Sequence, residues 1–187
     1  MATIETPRLF LRHWRDSDID PWVAMNLDPR VTEFFASEYT RAIMESAAAL
    51  RRRELDERGY GWWVVEVRGG APFAGVVALA EVPFKAHFTP AFEVGWRFAP
   101  EHWGNGYATE GARAALEYAF ATLGWDEVVA MTAAQNVRSR RVMQRLGMTR
   151  DRNDDFDHPK IGEGHPLRRH VLYRLGLWSL DSKLRGV

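Results

Sequence analysis

The chain of 187 residues contains no cysteine. That absence excludes disulfides, thiolate metal sites and a cysteine acyl-enzyme. An excess of one charge is missing too: Lys+Arg and Asp+Glu both number 25, so no global field draws the chain to nucleic acid. The local run Arg51-Arg52-Arg53 lies among Glu45, Glu54, Asp56 and Glu57 in a helical stretch and reads as a solvated face. No apolar run is long enough to span a bilayer, and Met1-Ala2-Thr3-Ile4-Glu5-Thr6 lacks a basic region followed by an apolar core. A cytoplasmic location without membrane attachment is the default expectation. Repeats, linkers and low-complexity segments are absent, which leaves one domain over residues 1–187. At 46% hydrophobic and 27% charged residues, a chain of this length buries a substantial core.

What is present centres on His102-Trp103-Gly104-Asn105-Gly106-Tyr107-Ala108-Thr109-Glu110-Gly111. Before it, Phe92 to Phe98 has strand character and Pro100 ends the strand. After it, Ala112, Ala115, Leu116, Ala119, Phe120 and Leu123 recur at helical spacing, predicting a helix from Ala108 to Leu123 that stops at Gly124. A helix N-terminus reached through glycines presents unpaired N–H groups and the positive end of the helix dipole, which suits a phosphate or pyrophosphate. No lysine follows the glycines, so a Walker-type nucleotide loop is excluded. Thr109 stands where a dinucleotide fingerprint needs its third glycine. By itself the motif also fits an ordinary strand-to-helix turn.

The remaining pattern is α/β with a mixed sheet. Arg8 to Arg12 alternates as a half-buried strand. Asp16-Ser17-Asp18 offers caps for a helix through about Leu27, and a second helical stretch begins near Arg30. Thr40 opens a longer amphipathic helix ending at Gly59. Trp62 to Val67 and Phe73 to Val82 form a hairpin turning at Gly69-Gly70, and Pro83 to Pro90 is a loop.

A second block, Asn136-Val137-Arg138-Ser139-Arg140-Arg141-Val142-Met143-Gln144-Arg145-Leu146-Gly147-Met148, follows the strand-like Val128 to Thr132. Together the two blocks resemble the GNAT superfamily of N-acetyltransferases. The family's acyl-CoA site opens a helix with Arg/Gln-x-x-Gly-x-Gly/Ala and continues in an Asn-x-x-Ser/Ala helix leading to Leu-Gly-Phe/Met. The wording Trp-Gly-Asn-Gly-Tyr-Ala-Thr-Glu is most similar to the ribosomal-protein N-acetyltransferase branch. Thr6-Pro7-Arg8-Leu9, the hairpin and the closing Leu172 to Leu175 extend the resemblance over nearly the whole chain. It implies a seven-stranded, mostly antiparallel sheet whose two central strands splay apart, with the pantetheine arm pairing to Trp96, Arg97 and Phe98. It also implies acetyl-CoA as the acyl donor and allows a homodimer. Trp103, Gly104, Asn105, Gly106, Tyr107, Ala108 and Thr109 become the pyrophosphate cradle, and Asn136, Ser139 and Arg140 further cofactor contacts, with Arg141 as a neighbour of the phosphates. Trp103 replaces the family's Arg or Gln and leaves the cradling to backbone N–H groups. Met143 replaces a tyrosine that other branches use as the acid and reads as core packing.

The chemistry requires a neutral amine. An α-amine of pKa about 7.7 to 8.0 needs only roughly 1 kcal/mol for deprotonation at pH 7, against roughly 4 to 5 for a lysine near 10.4. Without cysteine, direct attack in a ternary complex with acetyl-CoA is the simplest route. By analogy with the family, Glu93 is the base and Ser139 the acid, with Glu81 a second carboxylate. A strand-edge carboxylate paired with an arginine is the competing reading of Glu93. If Glu93 is the base, its loss is expected to cost most at low pH, where little neutral amine exists. Asn136 reads as a positioning residue. Asp154, Asp155, Asp157, His158, Glu163, His165 and His170 cluster late in the chain, but Pro159 and Pro166 break any regular presentation of metal ligands, and no metal is expected. The segment reads as a loop between the last two strands; the resemblance implies that such a loop walls the acceptor site, and its acidity suits a cationic amine. Two other functions stay open on sequence grounds: a non-catalytic acyl-CoA sensor, and a partner-binding domain using the chain's eight tryptophans.

Overall fold

The computed structural model describes residues 3–177. Along the chain it forms β1 (Ile4–Glu5), β2 (Leu9–Arg12), α1 (Ile19–Leu27), α2 (Pro29–Thr32), α3 (Arg41–Arg58), β3 (Trp62–Val67) and β4 (Gly75–Glu81). There follow β5 (Phe92–Phe98), α4 (Tyr107–Ala121), β6 (Glu127–Ala133), α5 (Val137–Arg145), β7 (Phe156–Asp157) and β8 (Arg169–Gly176). One sheet runs β1-β2-β3-β4-β5-β6-β8-β7. Every neighbouring pair is antiparallel except β5 with β6. The sheet has eight strands rather than the expected seven, and the two at its edges, β1 and β7, are only two residues long.

The sheet is covered on both faces. On one, α4 lies against β2 and β4 at a glycine: a Cβ on Gly111 would meet Val77 Cγ2 at 3.1 Å, with Leu9 and Leu11 behind at 3.7 Å. On the other, α1 and α3 pack through indoles. Trp22 Nε1 donates to Met44 O at 2.9 Å, Trp14 Nε1 to Trp62 O at 2.7 Å, and the Trp22 and Trp62 rings meet edge-on at 6.4 Å. Helix α3 starts and stops where its sequence signals lie. The Thr40 side chain accepts from Ile43 N–H at 3.3 Å, and Gly59 closes the helix at φ 77°. No helix among the described residues is long and apolar enough to cross a membrane.

The entry to α1 departs from the expected capping. Residues Asp16–Asp18 form a 3-10 turn, and the Asp18 carboxylate turns inward to bond both terminal nitrogens of Arg12 at 2.8 and 2.9 Å. Arg12 is buried as well, and its Nε donates to Glu66 at 2.6 Å. The carboxylate also accepts the backbone N–H of Arg15 at 2.6 Å, so it closes the 3-10 turn and holds the guanidinium in a bidentate pair at once. Asp18→Ala is expected to destabilise the fold by about 3 kcal/mol, because it strands part of a buried charge. Denaturant midpoints measure this, and a loss below about 1 kcal/mol would contradict it.

Candidate active site

The site begins with a pairing that stops. β5 pairs with β4 over its whole length, from Glu81↔Phe92 to Gly75↔Phe98, whereas it meets β6 in register only at Glu93↔Val129. Two bonds, Val82 N–H to Ala91 O at 2.9 Å and Ala99 N–H to Ala74 O at 3.0 Å, fix the phase of the β4–β5 ladder. By antiparallel alternation, Arg97 turns its backbone groups to β4, while Trp96 and Phe98 turn theirs toward the gap. Of the three residues expected to pair with pantetheine, Trp96 therefore offers both N–H and C=O. The Phe98 carbonyl already accepts from Trp103 Nε1 at 2.8 Å, and Arg97, its backbone paired with β4 and its side chain against Asn26 and Trp22 of α1, offers no such pairing. The gap widens into a cavity of about 590 Å³ between β5, β6, α5, the glycine turn and the segment around Phe34 and Phe35.

At one end lies the glycine turn. Gly104 and Gly106 adopt φ 79° and 81°, and Gly106 is the N-cap of α4, so the chain enters the helix in a conformation side chains disfavour. Arg8 braces it from outside, with Nε on Glu110 at 2.6 Å and Nη1 on the Asn105 carbonyl at 3.0 Å. Thr6 Oγ1 also donates to Glu110, at 2.6 Å, which explains the Thr6 to Leu9 wording as a clamp on the first turn of α4. Gly104, Gly106, Tyr107, Ala108, Thr109 and Trp103 line the cavity. Asn105 does not: its amide bonds the carbonyls of His102 and Trp103 at 3.2 and 3.3 Å, so its role is to hold the turn. Gly106→Val places a branched side chain at positive φ and is expected to weaken acetyl-CoA binding at least tenfold, roughly the value of one charge-assisted hydrogen bond. Calorimetric titration checks it, and unchanged affinity in a folded variant removes the turn from the site.

Helix α5 forms a side wall. Asn136 caps it: Oδ1 accepts from Ser139 N–H at 3.1 Å and Nδ2 donates to Thr132 Oγ1 at 3.0 Å. Asn136 borders the cavity, but both ends of its amide are engaged within the protein, so capping is its visible role. Ser139 lines the cavity, and its hydroxyl has no hydrogen-bond partner among the described residues. Arg140 turns away to the Ala134 carbonyl at 3.1 Å and lies outside the cavity lining, against the expectation of a cofactor contact. Arg138, Arg141 and Arg145 face the cavity instead. Their spacing of three and four residues places them on one helix face, a pattern that the sequence itself displays. Met143 is core, 1% exposed, as its chemistry predicts. Asn136→Ala is expected to cost about 1 kcal/mol of stability, with Asn136→Ser recovering most of it. Thermal unfolding of both variants measures this, and equal stability of wild type and Asn136→Ala would refute the capping role.

Glu93 lies where the strands begin to part. It faces the cavity, and no side-chain hydrogen bond to its carboxyl exists among the described residues. Burial raises its pKa to about 7, with the charge of Arg51 opposing. The competing reading, a carboxylate held by an arginine, fails for lack of an ion pair within 4 Å among the described residues. Glu81 is exposed and outside the cavity. A carboxyl titrating near 7 acts as a base only once ionised. Its contribution to rate therefore grows as pH rises through 7, the reverse of the low-pH expectation. Stability follows the opposite sign: between about pH 4.5 and 7 the folded chain holds a proton that the unfolded chain has lost, so ionising Glu93 destabilises. Glu93→Gln is expected to unfold at a higher temperature than wild type at pH 8, the difference vanishing at pH 4. A constant difference across that range would contradict the shift.

The segment from Asp151 to His170 does wall the cavity, but its acids face elsewhere. Asp154 bonds Arg174 at 2.7 Å and His87 at 3.2 Å, Asp155 bonds Arg150 at 2.9 Å, and Asp157 bonds Arg169 at 3.2 Å. The side chains presented to the cavity are His158, Lys160 and His170. Burial, with His170 and Lys160 adding to it, lowers the His158 pKa to about 4, so its ring is neutral. The expected acidic wall is thus absent. Among the described residues, no group of three or more His, Asp or Glu side chains converges as a metal site.

Residues 8–149 match the family model for the acetyltransferase (GNAT) domain. The FsC-acetyl coenzyme A-N(2)-transacetylase of Aspergillus fumigatus is 35% identical over 156 residues, covering 79% of this chain and 65% of that protein. The chain therefore spans less than two thirds of that relative. An uncharacterized N-acetyltransferase of Bacillus subtilis, YoaA, is 27% identical over 154 residues, covering 79% of this chain and 83% of the other. The crystal structure of a GNAT-family acetyltransferase from Bacillus anthracis superposes with a TM-score of 0.76 at 23% identity, over 94% and 98% of the two chains, and shares the fold. The matched stretch holds the splay, the glycine turn and α5, and the chain belongs to the GNAT acetyltransferase family.

Proposed function

We propose that this chain transfers an acetyl group from acetyl-CoA directly to a primary amine while both are bound. One arrangement carries the reading: a free strand edge at Trp96 connects the positive end of α4 with a carboxyl held near neutrality at Glu93. When bound, acetyl-CoA supplies an activated thioester. The residues from Gly104 to Thr109 offer backbone N–H groups and the helix dipole to its pyrophosphate. Arg138, Arg141 and Arg145 add positive charge along the same wall. The N–H and C=O of Trp96 take an amide-bearing arm as an added strand. Glu93, ionised, removes the proton of the incoming ammonium, directly or through water. The Ser139 hydroxyl, without a partner among the described residues, relays a proton to the departing thiolate as it regains one, through water, from the attacking nitrogen; a thiol of intrinsic pKa about 8.5 leaves readily.

A base near pH 7 suits an α-amine better than a lysine, whose deprotonation costs roughly 4 to 5 kcal/mol at that pH. The wording from Trp103 to Glu110 supports the ribosomal-protein N-acetyltransferase branch, in which the acceptor is a protein N-terminal amine. The name of the fungal relative, an acetyl coenzyme A-N(2)-transacetylase, likewise specifies a nitrogen as the acceptor. The reaction is tested by CoA release with N-terminal peptides, amino acids and polyamines. Wild-type kcat/KM is expected to rise through about pH 7, and Glu93→Gln to lose that limb while keeping acetyl-CoA affinity. Parallel pH profiles for the two proteins would remove Glu93 as the base.

A further inference from the structure

The acceptor end of the cavity has a polarity that the transfer reaction does not require. Strand register places Glu93 beside Ala80, Gly95 beside Ala78 and Trp62, and Arg97 beside Val76 and Val64, all on one face of the sheet. Ala78 and Gly95 make a flat floor, and a Cβ on Gly95 would meet nothing within 4 Å. Glu93 stands at one end of this floor and Arg97 at the other, their Cα atoms separated by roughly 13 Å of strand. Trp62 closes the side.

Arg97 is held, but not by an opposite charge. Its guanidinium packs against the rings of Phe35, Tyr39 and Trp22 at 4.1, 5.6 and 6.0 Å. Nη1 donates to the Oδ1 of Asn26, a neutral amide, and Arg97 has no carboxylate within 4 Å among the described residues. Its Nε is buried without a hydrogen-bond partner, and so is Nε1 of Trp62. Of the four buried side-chain nitrogens without a hydrogen-bond partner among the described residues, these two donors belong to residues lining this cavity. A buried donor without an acceptor is costly, and a buried cation without a counter-ion more so. The cavity as a whole repeats the imbalance. Arg30, Arg97, Arg138, Arg141, Arg145 and Lys160 line it against the single carboxyl of Glu93. The arginines of α5 lie beside the glycine turn and serve phosphates, whereas Arg97 sits under α1 and the aromatic segment, across the sheet from α4.

We propose that the acceptor is a small amine that also bears a carboxylate, with Arg97 binding the carboxylate and Glu93 receiving the amine. This rests on the acetyl-transfer reading and narrows it. Polyamines, which bring only positive charge, find one carboxyl here and no second. An amino acid or short peptide matches both ends, with the long arginine side chain shortening the span to be bridged.

The test compares matched acceptors on the wild-type protein: amino acids and glycyl dipeptides, each against its C-terminal amide, at saturating acetyl-CoA with CoA release as the readout. The carboxylate form is expected to have the higher kcat/KM by roughly tenfold or more, the factor associated with a charge-assisted hydrogen bond. Amidation lowers the pKa of the amine, so basicity alone would favour the amide, and a preference for the carboxylate points to recognition. In Arg97→Gln the preference is expected to shrink to within about twofold, mostly through KM, with acetyl-CoA affinity unchanged. Amides that equal or exceed their acids in the wild type overturn the proposal, whether or not the variant folds, and leave acetyl transfer standing. If no amine releases CoA although acetyl-CoA binds, acetyl transfer itself falls and takes the acceptor assignment with it.

Discussion

Everything in the site depends on β5 and β6 meeting in register at one residue and no further. Two parallel strands that stayed paired would engage the N–H and C=O of Trp96 and leave no cavity. Because they part after Glu93, the middle of the sheet contains an internal edge, buried among helices yet unpaired. An unpaired edge is ordinarily a liability. Here helices α4 and α5 flank it, and the indole of Trp103 takes up the Phe98 carbonyl, so the edge is protected from other chains and open to a slender ligand.

The same divergence sets the direction of the chemistry. Toward the open end lie the glycine turn, the α4 dipole and the arginines of α5, all favouring phosphate. Where the strands join lies Glu93, whose burial in the narrowing gap holds its proton to about pH 7. The site thus keeps positive charge where phosphates belong and a neutral-poised acid where an amine must lose a proton. Arg97, among rings and without a carboxylate within 4 Å among the described residues, is a cation that this division does not use.

Local signals made much of this legible in the sequence. The helix from Thr40 to Gly59, the strand ending at Pro100 and the turn at Gly104 to Gly106 are specified by residues next to one another, and they form where read. Glu93 and Ser139 came from the resemblance to the family, and the structure places both on the cavity. What was not legible depends on partners distant in sequence. Asp18 reads as a cap, but its ion pair with Arg12, itself held by Glu66, forms only in the fold. The acids after Asp151 look like an acceptor wall until the pairing of β8 brings Arg169 and Arg174 to them. Arg140 and Arg138 are equivalent in composition, and only the rotation of α5 against β6 sends one to a loop carbonyl and the other to the cavity.

The most direct test of the account is residue-resolved amide exchange with and without acetyl-CoA. Backbone N–H groups at Trp96 and over the first turn of α4, from Gly106 to Thr109, are expected to gain protection on binding, while the amide of Arg97, already paired with β4, changes little. Protection confined to other regions, or none at Trp96 despite binding, would contradict the claim that the splayed strand edge is the cofactor-binding surface.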